Sequence, residues 1–79
     1  MYSKTTKWRD MLKKHRFMHD LSIRAMAERV GMTSANYFLL EKGERTKPKL
    51  ETFTALSIEL NMPVEKLKEI YFESYFTKH

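Results

Sequence analysis

The amino-acid sequence predicts an all-α fold of five helices, and three observations support this prediction. Only two glycines and two prolines interrupt the 79 residues, so long stretches contain no helix breaker. Apolar residues recur at intervals of three and four, the spacing that builds one face of a helix. Residues of helix-capping type precede several apolar segments, and Gly31 directly follows one of them.

Helix 1 is predicted over about 6–17. Trp8, Leu12 and His15 recur there at helical spacing, with lysine and arginine between them. This is the pattern of a helix with one buried face. A threonine precedes the pattern and is a suitable N-cap. Residues 1–5 are expected to form a flexible tail.

Helix 2 is predicted over about 22–30, beginning at a serine of N-cap type. Met26, Ala27 and Val30 form its apolar face, while charged residues occupy the other side. Gly31 is expected to stop the helix, because glycine readily adopts the left-handed conformation that follows a helix end.

Helix 3 is predicted over about 34–42, after a threonine of N-cap type. Four bulky apolar residues follow one another in it and cannot all face one side. Tyr37 and Leu40 lie three apart, so both can point towards helices 1 and 2. Phe38 and Leu39 are then left on the outer face, away from the core.

Helix 4 is predicted over the segment "LETFTALSIEL", and helix 5 begins near Pro63, a residue suited to a first helical turn. The pattern of helix 5 allows continuation into "YFESYF". The buried positions predicted for helix 4 are Leu50, Phe53, Leu56 and Leu60.

Charge is distributed unevenly along the chain. Residues 1–49 contain 12 Lys/Arg and 5 Asp/Glu, whereas residues 50–79 contain 3 and 5. A basic N-terminal part and an acidic C-terminal part of the sequence favour a polyanion, such as nucleic acid, as the partner of one side of the protein. No cysteine occurs and no apolar run reaches membrane-spanning length, so we expect a cytoplasmic protein without membrane contact.

Helices 2 and 3 are separated by a turn of about three residues, which is the helix-turn-helix pattern. The run from "LSIRAMAERVGM" through "YFLLEKGERTKPKLETFTALSIEL" resembles the phage-repressor-type (Xre/Cro/CI-like) helix-turn-helix domain over about residues 8–68. The resemblance implies a lambda-repressor-like DNA-binding domain, which we place at 6–71. It also implies an ion pair between Arg16 and Glu41.

The resemblance further implies that helix 3 enters the DNA major groove. The residues expected to contact bases are Ser34, Ala35, Asn36, Phe38 and Leu39. Related repressors usually carry more polar residues at these positions. We favour a readout of thymine methyl groups and DNA shape. Two alternatives remain: Phe38 could cover a sugar, or helix 3 could bind another protein.

Phosphate contacts are expected on both sides of helix 3, from the start of helix 2 and from the basic segment "KGERTKPK". The expected residues are Ser22, Ile23, Arg24, Thr33, Lys42, Arg45, Lys47 and Lys49. The N-terminal "MYSKTTK" could be a minor-groove arm, but it contains no arginine, and a disordered tail is the preferred interpretation.

The C-terminal "YFESYF" contains four aromatic residues, and residues 72–79 are treated as an extension of the domain. Aromatic residues are favoured at interface centres, so a two-fold homodimer is expected here. The alternative is that the aromatics fold back on helix 1 within one monomer. The residues expected in the dimer interface are Leu67, Tyr71, Phe72, Tyr75 and Phe76.

The expected function is that of a transcriptional repressor that binds a pseudo-palindromic operator as a homodimer. The alternative is an antitoxin or antirepressor-type module that binds a protein partner. No catalytic constellation, cofactor motif or metal site is recognised, so no enzyme is expected. His15 and His19 lie four apart, but without a third ligand His15 is interpreted as half-buried packing.

Overall fold

The computed structural model describes residues 7–42 and 48–76, with side chains as far as residue 74. These ranges contain five α-helices and no strand, so the predicted all-α class is confirmed. The third and fourth helices have the predicted bounds, and α5 does continue through "YFESYF". The bounds are α1 Lys7–Met18, α2 Ile23–Arg29, α3 Ser34–Lys42, α4 Leu50–Leu60 and α5 Val64–Phe76.

Three helices end in the same backbone arrangement. A left-handed residue follows each of them: Asp20 (φ 58°) after α1, Gly31 (φ 72°) after α2 and Asn61 (φ 56°) after α4. The next amide in each case donates to the carbonyl five residues earlier, at 2.8, 2.9 and 3.1 Å. This is the Schellman motif, which satisfies carbonyls that the helix itself leaves unpaired. The predicted role of Gly31 is confirmed.

The core lies where α3 packs against α1 and α2, and where α5 packs against α1 and α4. Trp8 is its centre, fully buried, with the Tyr71 ring 5.1 Å and the Phe53 ring 6.2 Å away. All three rings meet edge to face, the arrangement that aromatic pairs prefer. The other buried apolar residues are Leu12, Met26, Ala27, Val30, Tyr37, Leu40, Leu56 and Leu67.

The buried stripe of α4 differs from the prediction at its first position. Phe53 and Leu56 are buried and Leu60 is half-buried, but Leu50 is 64% exposed. Leu50 is the first residue of α4, and helical side chains lean towards the N-terminus. Its side chain therefore projects beyond the level at which the core begins, one turn later at Phe53.

Candidate nucleic-acid interface

The turn between α2 and α3 is fixed by backbone conformation and by capping. A Cβ built on Gly31 would meet nothing within 4 Å, so glycine is required there for its positive φ and not for space. The Thr33 hydroxyl accepts the Asn36 N–H at 3.1 Å and caps α3. The Ser22 hydroxyl accepts the Ala25 N–H at 3.0 Å and caps α2 in the same way.

The inner face of α3 is anchored in the core. Tyr37 is fully buried and Leu40 is 6% exposed, as predicted. The indole N–H of Trp8 donates to the Leu40 carbonyl at 3.0 Å. That carbonyl belongs to the last turn of α3, where the helix itself offers no N–H donor for it. A side chain of α1 therefore supplies a hydrogen bond that the end of α3 lacks.

A buried polar network joins α1 to α3. Glu41 accepts hydrogen bonds from Arg16 Nε at 2.9 Å, Arg16 Nη2 at 3.2 Å and the Tyr37 hydroxyl at 2.9 Å. Arg16 Nη1 also donates to the Leu21 carbonyl at 3.2 Å. The implied pair of Arg16 with Glu41 is confirmed. It holds the pKa of Arg16 above its usual value, and burial raises the pKa of the Tyr37 hydroxyl.

The outer face of α3 is available to solvent. Ser34, Ala35 and Asn36 are exposed, Phe38 is 45% exposed, and Leu39 is half-buried. The expected division of the apolar residues is therefore present, with Leu39 at its edge and not fully outside. The first turn of α3 presents the polar side chains of Ser34 and Asn36 beside Ala35, whereas the following turn presents the apolar Phe38 and Leu39.

Lys42 lies one turn beyond Phe38 on α3. Its ammonium nitrogen is 5.0 Å from the centre of the Phe38 ring, within the range of a cation–π interaction. A positive charge thus stands at the end of the exposed apolar face.

The expected phosphate-binding positions are only partly described. Arg24 is exposed at the start of α2, with its Nε 3.8 Å from the Glu28 carboxylate, a surface pair of little energetic value. Ile23 is half-buried and can offer only its backbone amide. Lys49 is exposed and directly precedes α4. Arg45 and Lys47 lie outside the described residues.

A family model described as helix-turn-helix matches residues 12–67. The chain belongs to this phage-repressor-type helix-turn-helix family. It is a DNA-binding transcription regulator of the helix-turn-helix type, and proteins of this family are generally not enzymes. Comparisons with curated proteins and with solved structures gave no match. Among the described helices, none combines the length and apolar character needed to cross a membrane.

His15 of this helix-turn-helix protein is half-buried, and its Nε2 lies 2.8 Å from a Glu59 oxygen. Arg29 donates to the same oxygen at 2.8 Å, so one carboxylate joins α1, α2 and α4. Burial alone would raise the pKa of Glu59, but hydrogen bonds from His15 and Arg29 outweigh it and lower that pKa. No group of three metal-ligating residues occurs within 7–42 and 48–76.

Sequence reasoning missed Glu59. Its partners His15 and Arg29 lie 44 and 30 residues away in the chain, and no short motif connects them. The only signal was a charged residue within the apolar pattern of helix 4, which is also typical of a solvent-exposed helix face.

Two residues assigned to a dimer interface belong to the core of the helix-turn-helix monomer. Leu67 is fully buried and Tyr71 is 4% exposed, so neither side chain is available to a second copy. Ser74 continues their stripe, and its hydroxyl accepts the Trp8 backbone N–H at 3.1 Å. Leu67, Tyr71 and Ser74 are four and three residues apart in the sequence, and this spacing is typical of a buried helix face.

Of the other three residues expected in the dimer interface, Phe72 has a described side chain. Phe72 is 39% exposed on α5 and contacts the Tyr71 ring at 5.8 Å. The side chains of Tyr75 and Phe76 lie outside the described residues. Tyr71 packs against Trp8 of α1 within the monomer, with 5.1 Å between the ring centres.

Proposed function

We propose that this protein is a repressor that binds a pseudo-palindromic operator as a homodimer, with α3 in the major groove. The exposed outer face of α3, combined with its anchored inner face, is the observation that carries this proposal. Trp8 and Arg16 of α1 hold α3 in place through hydrogen bonds to Leu40 and Glu41. An ordered helix can meet base edges without a large loss of conformational entropy on binding.

The first turn of α3 would supply hydrogen bonds to bases. The Ser34 hydroxyl can donate or accept, and Asn36 can pair with adenine or hold a phosphate. Ala35 in the same turn, with Phe38 and Leu39 in the next, would supply apolar contacts. Thymine methyl groups are the apolar groups that the major groove offers, and sequence-dependent DNA shape would add further discrimination.

Phosphate contacts would supply register and most of the salt-dependent affinity. At the start of α2, backbone amides without helical partners favour an anion, and Arg24 is exposed beside them. Thr33 precedes α3, where the helix dipole again favours an anion. The proposed contacts are Ser22, Ile23, Arg24, Thr33, Lys42, Arg45, Lys47 and Lys49.

The homodimer proposal now depends on Phe72, Tyr75 and Phe76. Phe72 is a large apolar residue that α5 leaves partly exposed, and aromatic residues are favoured at interface centres. We place the DNA-binding domain at residues 6–71 and its dimer-forming extension at residues 72–79. A two-fold dimer would place the two α3 helices about one DNA turn apart, roughly 34 Å.

Selection from a random pool of DNA duplexes by the purified protein tests the proposal. We expect enrichment of a sequence with two inverted half-sites. Phe72→Glu should reduce the molecular mass measured by sedimentation from dimer to monomer and leave binding to a single half-site measurable. An enriched sequence without two-fold symmetry would argue against the dimer, and a pool without enrichment would argue against sequence-specific readout.

Repression is tested separately. The protein is expected to protect a stretch of DNA that overlaps a promoter and to reduce transcription from it in a purified system. If instead the protein binds a protein partner with little salt dependence, the antitoxin or antirepressor alternative is favoured, since the exposed Phe38 would also suit a protein interface.

A further inference from the structure

The outer face of α3 carries a continuous apolar stripe, formed by Ala35, Phe38 and Leu39. The intervals of three and four residues place these side chains on one face of the helix. Ala35 is exposed, Phe38 is 45% exposed and Leu39 is half-buried. None of the three side chains contains a hydrogen-bonding atom. At the base edges that this stripe faces, hydrogen bonds to the protein cannot be the basis of discrimination.

The major groove presents one apolar group to such a surface, the methyl group on C5 of thymine. Carbon 5 of cytosine lies at the corresponding edge of its base, and a methyl group there presents the same apolar surface. A protein that reads a pyrimidine by hydrogen bonds distinguishes thymine from 5-methylcytosine. A protein that reads only the methyl group does not.

The Phe38 ring also has a cation close to it. The Lys42 ammonium lies 5.0 Å from the ring centre, so one face of the ring is covered by a cation. Phe38 is 45% exposed, so part of its ring surface can meet an apolar group. The same lysine, at the end of the stripe, brings a positive charge towards the DNA backbone.

We propose that the apolar stripe of α3 recognises the C5-methyl group of pyrimidines in the major groove, on thymine and on 5-methylcytosine alike. This inference rests on the proposed entry of α3 into the major groove. Binding of the protein would then depend on the methylation state of cytosines placed at the stripe. The exposed Phe38 contributes the largest contact area of the three residues.

The test uses a duplex enriched from the random pool. Each thymine is first replaced by uracil, which lacks only the C5-methyl group. At every position where uracil weakens binding, four duplexes are compared that carry thymine, uracil, cytosine or 5-methylcytosine. Both methyl additions, uracil to thymine and cytosine to 5-methylcytosine, should strengthen binding by about four-fold, which is what burial of one methyl-sized group contributes.

Phe38→Ala should bring both methyl effects close to one-fold. The matched control is Phe17→Ala, because Phe17 is also exposed (64%) and has the Arg16 guanidinium 5.1 Å from its ring. Phe17 lies on α1 and is not part of the stripe. The control should retain both methyl effects, and an equal loss in the two variants would overturn the assignment to Phe38.

The possible failures are distinguishable. Salt-dependent binding that uracil leaves unchanged at every position would overturn methyl recognition but not DNA binding. A thymine effect without a 5-methylcytosine effect would show base-specific reading and would overturn the shared recognition. If no unmodified duplex binds in a salt-dependent manner, the proposed function fails and this inference fails with it.

Discussion

The indole N–H of Trp8 donates to the carbonyl oxygen of Leu40 at 3.0 Å. This hydrogen bond joins the first turn of α1 to the last turn of α3. Because the carbonyls of a last helical turn have no partner within the helix, Trp8 satisfies a group that would otherwise be buried unpaired. The orientation of α3 thus depends on a residue 32 positions earlier in the chain.

We expect Trp8→Phe to lower the free energy of unfolding by about 2 kcal/mol. The substitution leaves the Leu40 carbonyl unsatisfied and removes part of a fully buried ring. Urea unfolding followed by far-UV circular dichroism measures the change. A loss below about 0.5 kcal/mol would show that water or another donor replaces the indole.

The buried pair of Arg16 and Glu41 gives a second prediction. Glu41→Gln should cost about 3 kcal/mol of stability, because it leaves the Arg16 charge buried without a counter-ion. Tyr37→Phe removes one neutral donor to the same carboxylate and should cost about 1 kcal/mol.

The double variant Arg16→Met with Glu41→Leu is the control for this pair. It removes both charges, so its loss should be smaller than the sum of the losses caused by Arg16→Met alone and Glu41→Leu alone. Additive losses in urea unfolding would mean that the two side chains act independently, contrary to the hydrogen bonds between them.

We expect Glu59 to make the stability of the protein depend on pH. Its pKa is lowered in the folded protein, so the unfolded chain binds the proton more tightly. The stability that this carboxylate contributes is therefore present above its unfolded pKa of about 4.3 and is lost as the pH falls through the lower folded value. The stability difference between the native protein and Glu59→Gln should shrink on acidification from about pH 6 towards pH 3.

Glu51→Gln is the matched control, because Glu51 is an exposed glutamate on the same helix. Unfolding free energies of the three proteins are compared at each pH. If the difference caused by Glu59→Gln did not change with pH, the bridge from Glu59 to α1 and α2 would not contribute to stability.

Substitutions of Gly31 test whether this position requires glycine for its backbone conformation or for packing. Gly31→Ala should destabilise the fold by about 1 kcal/mol, because alanine is strained at φ 72° although its Cβ meets no atom. Gly31→Asn should cost less, since asparagine tolerates this conformation and already adopts it at Asn61. Thermal unfolding compares the two variants, and equal losses would argue against conformational strain as the cause.

The lysines after helix 3 should act on DNA binding through charge alone. Lys47→Ala combined with Lys49→Ala is expected to weaken binding to all sequences alike. It should also reduce the slope of log affinity against log salt by about 2, one for each lost phosphate contact. Lys66→Ala on α5 is the control, as an exposed lysine outside the proposed contacts. An unchanged slope in the double variant would remove this segment from the interface.

The helices were predictable from the sequence where the apolar spacing continued without interruption. The bounds of α3 and α4 agree with the structure, and Tyr37 and Phe38 fall on the expected sides of α3. Spacing succeeds there because neighbouring side chains of one helix diverge by about 100°, whatever the helix packs against.

The discrepancies arise where tertiary packing decides. Tyr71 was assigned to a dimer interface because aromatic residues are frequent there, but Trp8 provides a partner for it within the monomer. The bridging role of Glu59 depends on three helices that meet only after folding. Asp20 and Asn61 end helices in the left-handed conformation, which composition alone does not distinguish from an ordinary turn.

Trp8 is the one tryptophan of the sequence, and it contacts both the end of α3 and the Tyr71 ring. Its fluorescence therefore reports whether α1, α3 and α5 are docked together. DNA that binds the outer face of α3 does not touch the buried indole, so the emission maximum should stay blue-shifted throughout a DNA titration. A red shift would instead report undocking of α3, so the emission checks the packing of these helices independently of DNA binding.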